Sequence, residues 1–310
     1  MGTPAFAVPA LRAVAERCEV VRVVTRPDRP KGRGRSLAES DVSVVARELR
    51  LDVAKPSDMK SAEVLAELKS LAPDLLAVVA FGAILTPAVL AVPKHGSVNL
   101  HGSLLPDYRG ASPVQGALWD GRATTGVSTL FMDEGIDSGD VILTRSEAVR
   151  PEDDAGSLAA RLAEIGGPLL ADSLLMAAEG RAPRTRQDPA AGSYAKKLKK
   201  SDGVVEWSLD AITLWHRQRA VTPWPGAVTT AQGRQLTLMR LRPLEAEASG
   251  SPGRVIALGP DSVTVACGRG AVMLERVKPE GRPEMTAAEW ARGARLAIGD
   301  RIGGMREVEA

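Results

Sequence analysis

Three apolar segments constrain this chain most: "CEVVRVVT" (18–25), "DLLAVVA" (74–80) and "HGSVNLH" (95–101). A strand with one wet face alternates apolar and polar residues, so runs rich in valine and leucine read as strands covered on both faces, as in a parallel sheet. Between them lie "DVSVVARELR" (41–50) and "SAEVLAELKSLA" (61–72), helical patterns with Asp41 and Ser61 as candidate caps. Leu158, Leu162, Ile165, Leu169 and Leu170 recur at helical spacing and predict a further helix from about Ser157 to Glu179. Strand and helix in turn predict a doubly wound, Rossmann-like α/β domain over residues 1–180.

Beyond Gly180 the texture changes. Residues 181–199 are rich in proline, glycine and charge and read as a linker. In 200–310 the short segments "QLTLMRL", "GRVIALG", "DSVTVAC" and "GAVMLERV" alternate with glycine turns, the pattern of a small β-barrel or sandwich. At 310 residues, 44% of them hydrophobic, the chain can fill two cores. It holds no apolar run long enough to span a membrane and starts with no signal-like segment, so a cytoplasmic location is expected. Cys18 and Cys267 stand far apart without metal-ligand spacing, which points to neither zinc nor a disulfide framework and suggests two buried apolar residues. The net charge of +2 hides an asymmetry: 22 basic against 25 acidic residues before Ser193, and 18 against 13 from there on. A basic C-terminal part is a weak pointer to a polyanionic partner, with a solvated face as the plainer reading.

In a doubly wound sheet the ligand crevice lies beyond the carboxyl ends of the strands, which is where "NLHGSLLPDYRG" (99–110) begins. Alternation sends Asn99 and His101 to the same side of their strand. A second loop, "MDEGIDSGDV" (132–141), follows the apolar "GVSTLF" and brings Asp137 within reach of His101. Acyl or formyl transfer to an amine passes through a tetrahedral intermediate, which needs an oxyanion donor, a proton shuttle and a group that holds the shuttle. Asn99, His101 and Asp137 supply one of each. No serine or cysteine stands in a nucleophile setting such as GxSxG, so direct attack by the acceptor is expected rather than a covalent intermediate. Histidines in loops are more often structural than catalytic, and His95 and His216 are read that way.

Six fragments in order, "MGTPAFAVPAL", "TRPDRPKGRGR", "NLHGSLLPDYRGASPVQGAL", "TGVSTLFMDEGIDSGDVI", "SYAKKLKKSDGVVEW" and "RAVTPWPGA", resemble the 10-formyltetrahydrofolate-dependent formyltransferases, and among these the methionyl-tRNA formyltransferases, over nearly the full length. The resemblance implies that Asn99, His101 and Asp137 match the family's catalytic trio and that Ser103, Leu104, Leu105 and Pro106 line the folate site. It implies 10-formyltetrahydrofolate as formyl donor with no metal, and the methionine of initiator methionyl-tRNA as acceptor. The C-terminal domain is then an OB-like barrel that helps hold the tRNA. "RPDRPKGRGR" (26–35) read alone is a solvated loop; in the family it is a mobile insertion at the acceptor end of the tRNA, with Arg33 at the position of the family's arginine and Lys31 and Arg35 as supporting phosphate contacts. Lys196, Lys197, Lys199 and Lys200 invite the same reading. Trp224 in "PWPG" suits packing better than a site. A monomer is expected.

Family members usually carry about five apolar residues before "MGTP" that form the first, central strand. The expectation is therefore an upstream start, or else a sheet short of an inner strand and poorly stable. The trio alone does not separate the tRNA enzymes from sugar-nucleotide formyltransferases or formyltetrahydrofolate hydrolases; "RGASPVQGAL", "MDEGIDSGD", the "KGRGR" loop and the C-terminal part favour the tRNA enzymes. A non-catalytic RNA-binding module is the rival from another class.

Overall fold

A computed structural model describes residues 1–31, 36–244 and 250–303 and divides the chain into two compact units. The first comprises Met1–Pro113, Thr124–Ala148 and Leu158–Ala195, the second Val114–Ala123, Val149–Ser157 and everything from Lys196 onward. The strands of the first unit are β1 (Val23–Val24), β2 (Arg29–Lys31), β3 (Ser36–Ala38), β4 (Val53–Ala54), β5 (Leu76–Val79), β6 (Ser97–His101), β7 (Arg109–Gly110), β8 (Thr124–Phe131), β9 (Val141–Ala148) and β10 (Tyr194–Ala195). Its helices are α1 (Val8–Arg17), α2 (Asp41–Glu48), α3 (Ala62–Ser70) and α4 (Pro87–Leu90); α5 (Pro113–Trp119) and α6 (Ala155–Ala178) are shared in sequence with the second unit.

The central sheet has the order β5-β6-β8-β9. β5 and β6 run parallel, whereas β8 is antiparallel to both β6 and β9, so the sheet is mixed where the apolar pattern suggested a parallel one. β8 is buried from Thr125 to Phe131, and burial on both faces gives it the continuous pattern of a parallel strand whatever its direction. Chain length settles the direction: the short stretch between Phe131 and Val141 can close a hairpin but cannot make a crossover. β6 lies at the centre with all five residues buried. It meets α6 so closely that a Cβ at Gly166 would lie 2.8 Å from a Leu100 methyl carbon, and a larger residue there would push the helix off the strand.

Helix starts follow the local chemistry. Ser61 caps α3 by accepting from Val64 N–H. At α2 the cap is Ser40, whose Oγ accepts from Ser43 N–H, and Asp41 instead stands in the first turn, where its charge suits the helix dipole.

The segment 18–25 yields only the short β1, paired with β4, while Met1 and Gly2 lie between β1 and β5. Gly2 N–H donates to the Val24 carbonyl, Val79 N–H donates to the Met1 carbonyl, and the Met1 amino group donates to the Ala77 carbonyl at 2.6 Å. Beyond this bridge opens a cavity of about 390 Å³, walled by residues such as Leu11, Val14, Val23, Leu68, Leu76 and Leu174. Val20 to Arg22 line it on one side and so find no strand partner there, which is why the extended segment is short as a strand. Cys18, expected to be buried, is half-buried at the end of α1 and lines the same cavity.

The stretch read as a linker lies along the first unit as far as Ala195. Thr185 pairs with Val141, and β10 pairs in parallel with β7. Backbone pairing, not apolar periodicity, holds it there.

In the second unit, α7 (Ala211–Val221) and α8 (Ala287–Ala294) accompany an antiparallel sheet of β11 (Ala227–Ala231), β12 (Arg234–Leu244), β13 (Val255–Leu258), β14 (Val263–Ala266), β15 (Ala271–Pro279) and β16 (Met285–Thr286). The described strands follow the open path β11-β12-β15-β14-β13, with β16 on β15. Leu236, Leu238, Leu241, Val263, Val272 and Leu274 fill its core. Cys267 is buried here, and burial pushes its thiol up to about 12. Asp210 caps α7 through Thr213 N–H, and Thr286 caps α8 in a reciprocal box with Glu289.

Candidate active site

The end of β6 and the loop between β8 and β9 bring Asn99, His101 and Asp137 together. Asn99 and His101 leave the same side of the strand, as its pleat dictates, and both are buried. The Asn99 amide donates to Asp137 Oδ1 at 3.3 Å, and His101 Nδ1 lies 3.5 Å from Asp137 Oδ2. The Asp137 side chain keeps 18% of its surface, so the carboxylate is reached by solvent while both of its partners are buried.

Two backbone groups complete the arrangement. His101 Nε2 lies 2.9 Å from the Tyr108 carbonyl, an acceptor only, so Nε2 carries a hydrogen and Nδ1 is the nitrogen turned to Asp137. Gly110 N–H donates to Asp137 Oδ2 at 2.8 Å. Gly110 itself has φ +107°, and a Cβ there would stand 2.8 Å from the Ala195 carbonyl oxygen, so no other residue fits without moving β10. Asp137 adopts φ +51°, a left-handed conformation that costs a non-glycine residue about 1 kcal/mol or more and must be held by its surroundings.

The turn after His101 is packed from within. Ser103 Oγ donates to the Asp107 carbonyl at 2.6 Å; Ser128 Oγ donates to the Ser103 carbonyl at 2.7 Å and accepts from Leu105 N–H at 3.0 Å. Ser103 and Leu105 are buried, Leu105 against Leu130 and Val141, while Leu104 and Pro106 are half-buried. Large apolar side chains stand exposed in the loops after β5 and β8: Ile84 at 79% and Ile136 at 64%.

Of the basic residues, Lys31 ends β2 of a hairpin with β3, while Arg33 and Arg35 lie outside the described residues. Lys196, Lys197, Lys199 and Lys200 are exposed at the start of the second unit's C-terminal stretch. His95 and His216 lie apart from the trio in the chain; His216 is half-buried on α7, and burial, then Arg219, holds its imidazole below the usual range. Among the described residues no cluster of His, Cys, Asp and Glu could hold a metal ion, and no helix is long and apolar enough to cross a membrane.

Sequence reasoning passed over Arg109 and Gln187. Arg109 is among the largest fully buried side chains, and Gln187 sits in the stretch read as a linker. An arginine directly after a proline-closed turn was the available signal.

Two family models and a set of relatives cover the chain. The family described as "Formyl transferase" matches residues 5–174, and that described as "Formyl transferase, C-terminal domain" matches residues 197–295. The methionyl-tRNA formyltransferase of Geobacter sulfurreducens is 41% identical over 100% of this chain and 97% of its own length, and that of Geobacter metallireducens is 42% identical over 98% and 97%. Among solved structures, an N-formyltransferase from Helicobacter canadensis in complex with folinic acid and dTDP-3-aminofucose superposes with a TM-score of 0.65 at 16% identity, covering 88% of this chain and 97% of that one; this is a likeness of fold. Two matching domain families and relatives aligned over nearly the whole of both chains lead to one conclusion: the chain belongs to the formyl transferase family.

Proposed function

We propose that this protein transfers a formyl group from 10-formyltetrahydrofolate to the amino group of methionine on initiator methionyl-tRNA. The observation that carries the reading is the convergence of the Asn99 amide and His101 Nδ1 on one partly exposed carboxylate, in a chain whose full-length relatives are methionyl-tRNA formyltransferases. When bound, the folate supplies an activated formyl carbon for attack by the amine. The second hydrogen of the Asn99 amide donates to the formyl oxygen as it gains negative charge, a role typically worth about 100- to 1000-fold in rate. His101 accepts the amine's proton at Nδ1 and hands it on to the folate nitrogen as the bond between that nitrogen and the formyl carbon breaks, so that tetrahydrofolate leaves neutral; in between, Asp137 gives the imidazolium a counter-charge. The 3.5 Å gap between Nδ1 and Oδ2 suits two acceptors with no hydrogen between them, and it closes to a charge-assisted hydrogen bond when Nδ1 takes the proton.

Leu104 and Pro106, with Ile136 and Ile84 from the neighbouring loops, would hold the folate, since half-buried and exposed apolar side chains at strand ends suit a flat ring system. Ser103 and Leu105 shape that wall from behind. The second unit, read as an OB-like fold, holds the tRNA, with Lys196, Lys197, Lys199 and Lys200 on its phosphates and Lys31, Arg33 and Arg35 at the acceptor end. Action in the cytoplasm, as a monomer and without a metal, belongs to the same reading.

The test is a formyl-transfer assay in which methionyl-tRNA, a UDP-amino sugar and water compete as acceptors. Formylmethionyl-tRNA should be the dominant product. Faster formylation of the sugar, or release of formate to water, would assign the chain to another branch, and binding of tRNA with no transfer would make it an RNA-binding module.

A further inference from the structure

We infer that Arg109 and Gln187 form a positioning pair that sets the Asp137 carboxylate against His101. Arg109 has lost almost all contact with solvent, at 2% exposed, and a guanidinium is buried at a cost that only well-placed partners offset. Its Nε and Nη2 both donate to Gln187 Oε1, at 3.0 and 2.9 Å; Nη1 donates to the Ala191 carbonyl at 3.3 Å, and Nη2 also to the Asp188 carbonyl at 3.2 Å. This planar fork does more than hold Gln187 in place. By taking the amide oxygen it fixes which way the amide faces, so that Nε2 must point the other way.

What Nε2 meets there is the site loop. It donates to the Asp137 carbonyl at 2.9 Å and the Gly139 carbonyl at 2.7 Å. Both hydrogens of the amide thus go to the two residues flanking Ser138, and Asp137 is strapped in the left-handed conformation that its own backbone would leave. The same arginine anchors the other side: it is next to Gly110, whose N–H holds Asp137 Oδ2, and its backbone pairs with Tyr194 in β10. Arg109 therefore fixes one oxygen of Asp137 through β7 and the backbone of Asp137 through Gln187. Both side chains, themselves buried, act through Asp137.

The inference rests on the proposed formyl transfer, and its test separates the two. Kinetics with methionyl-tRNA and 10-formyltetrahydrofolate are measured for Gln187→Ala, for Gln187→Glu, which keeps the volume and the acceptor facing Arg109 but loses both donors, and for each combined with Asp137→Asn. Either single change should lower kcat by about 10- to 100-fold, with KM for both substrates within about twofold and an altered pH profile of kcat. In the Asp137→Asn background neither should lower kcat further, because the residue they position no longer acts. Losses that multiply in the double variants, or a pH profile identical to that of the parent, would overturn the positioning role. If Gln187→Ala does not fold, the Gln187→Glu pair decides. Full activity of Asp137→Asn alone would instead defeat the assignment of the site.

Discussion

A carbonyl oxygen has no proton to give, and that elementary fact decides which nitrogen of His101 would serve the proposed transfer. The Tyr108 carbonyl ties down Nε2–H and leaves Nδ1, which faces Asp137, as the nitrogen for the proton that the proposed reaction must move. His101→Ala should therefore lower kcat by roughly 100-fold or more while leaving the affinity for tRNA close to that of the parent, because the residue handles a proton and holds no phosphate. Rapid-mixing turnover and filter binding on the same preparation check both halves, and a variant with full turnover would remove His101 from the chemistry. The side chains of this site were readable in advance: strand alternation paired Asn99 with His101, and an acidic glycine loop after an apolar strand supplied Asp137. The Tyr108 carbonyl and the Gly110 N–H were not, since every residue has such groups and only the folded backbone selects which of them matter. Gln187 was hidden for a related reason, lying in a polar, proline-rich stretch whose attachment is made by hydrogen bonds that leave no apolar pattern.

At the scale of elements, the sequence carried the strands and helices that place the site, but not strand direction. β6, α3 and α6 fall close to where the patterns put them, because long apolar periodicity survives in any well-packed core. β8 shows where the pattern ends, since a strand buried on both faces looks alike in either direction. The edge between β1 and β5 has a measurable consequence. Its cavity of about 390 Å³ is walled mostly by apolar residues, with Arg17, Glu19, Arg22 and Asp74 among the rest, and the amino group of Met1 is buried beside it, so that burial pushes it down from 8.0 to about 5. Appending five apolar residues ahead of Met1 should extend the Met1–Gly2 bridge into the cavity and stabilise the fold by about 1–2 kcal/mol, a rise in Tm of about 2–8 °C. A pH effect accompanies it. Between pH 8 and 5 the unfolded amine binds a proton that the folded one refuses, so stability of the chain as it stands falls as pH is lowered through that window. With the amine converted to an amide, that part of the acid sensitivity should vanish. Calorimetry of both chains at pH 5.5 and 8 measures it, and equal Tm values at each pH would mean that the extension stays in solvent.

For the whole molecule, the basic excess and the proposed trio fall in different parts of the chain. The trio and its supports all belong to the first unit, while the residues from Ser193 on carry the excess of basic over acidic groups. A formyl donor is small and is held by a crevice, whereas a tRNA offers a long row of phosphates that only distributed cations can match. Composition alone left this as a weak pointer, because exposed lysines are the normal dress of a soluble surface; the clustering of four exposed lysines within five positions, at 196–200, is the stronger signal. Changing Lys196, Lys197, Lys199 and Lys200 together to alanine should weaken tRNA binding and flatten its dependence on salt, by about one unit in the log–log slope for each lysine that meets a phosphate. Turnover at saturating tRNA should stay near that of the parent, since none of the four belongs to the trio or its supports. Binding titrations from low to moderate salt give the slope directly. A parallel slope would confine the lysines to solvent and move the search for tRNA contacts to the basic stretch at 26–35, whereas a loss of kcat at saturation would mean that they help seat the acceptor end itself.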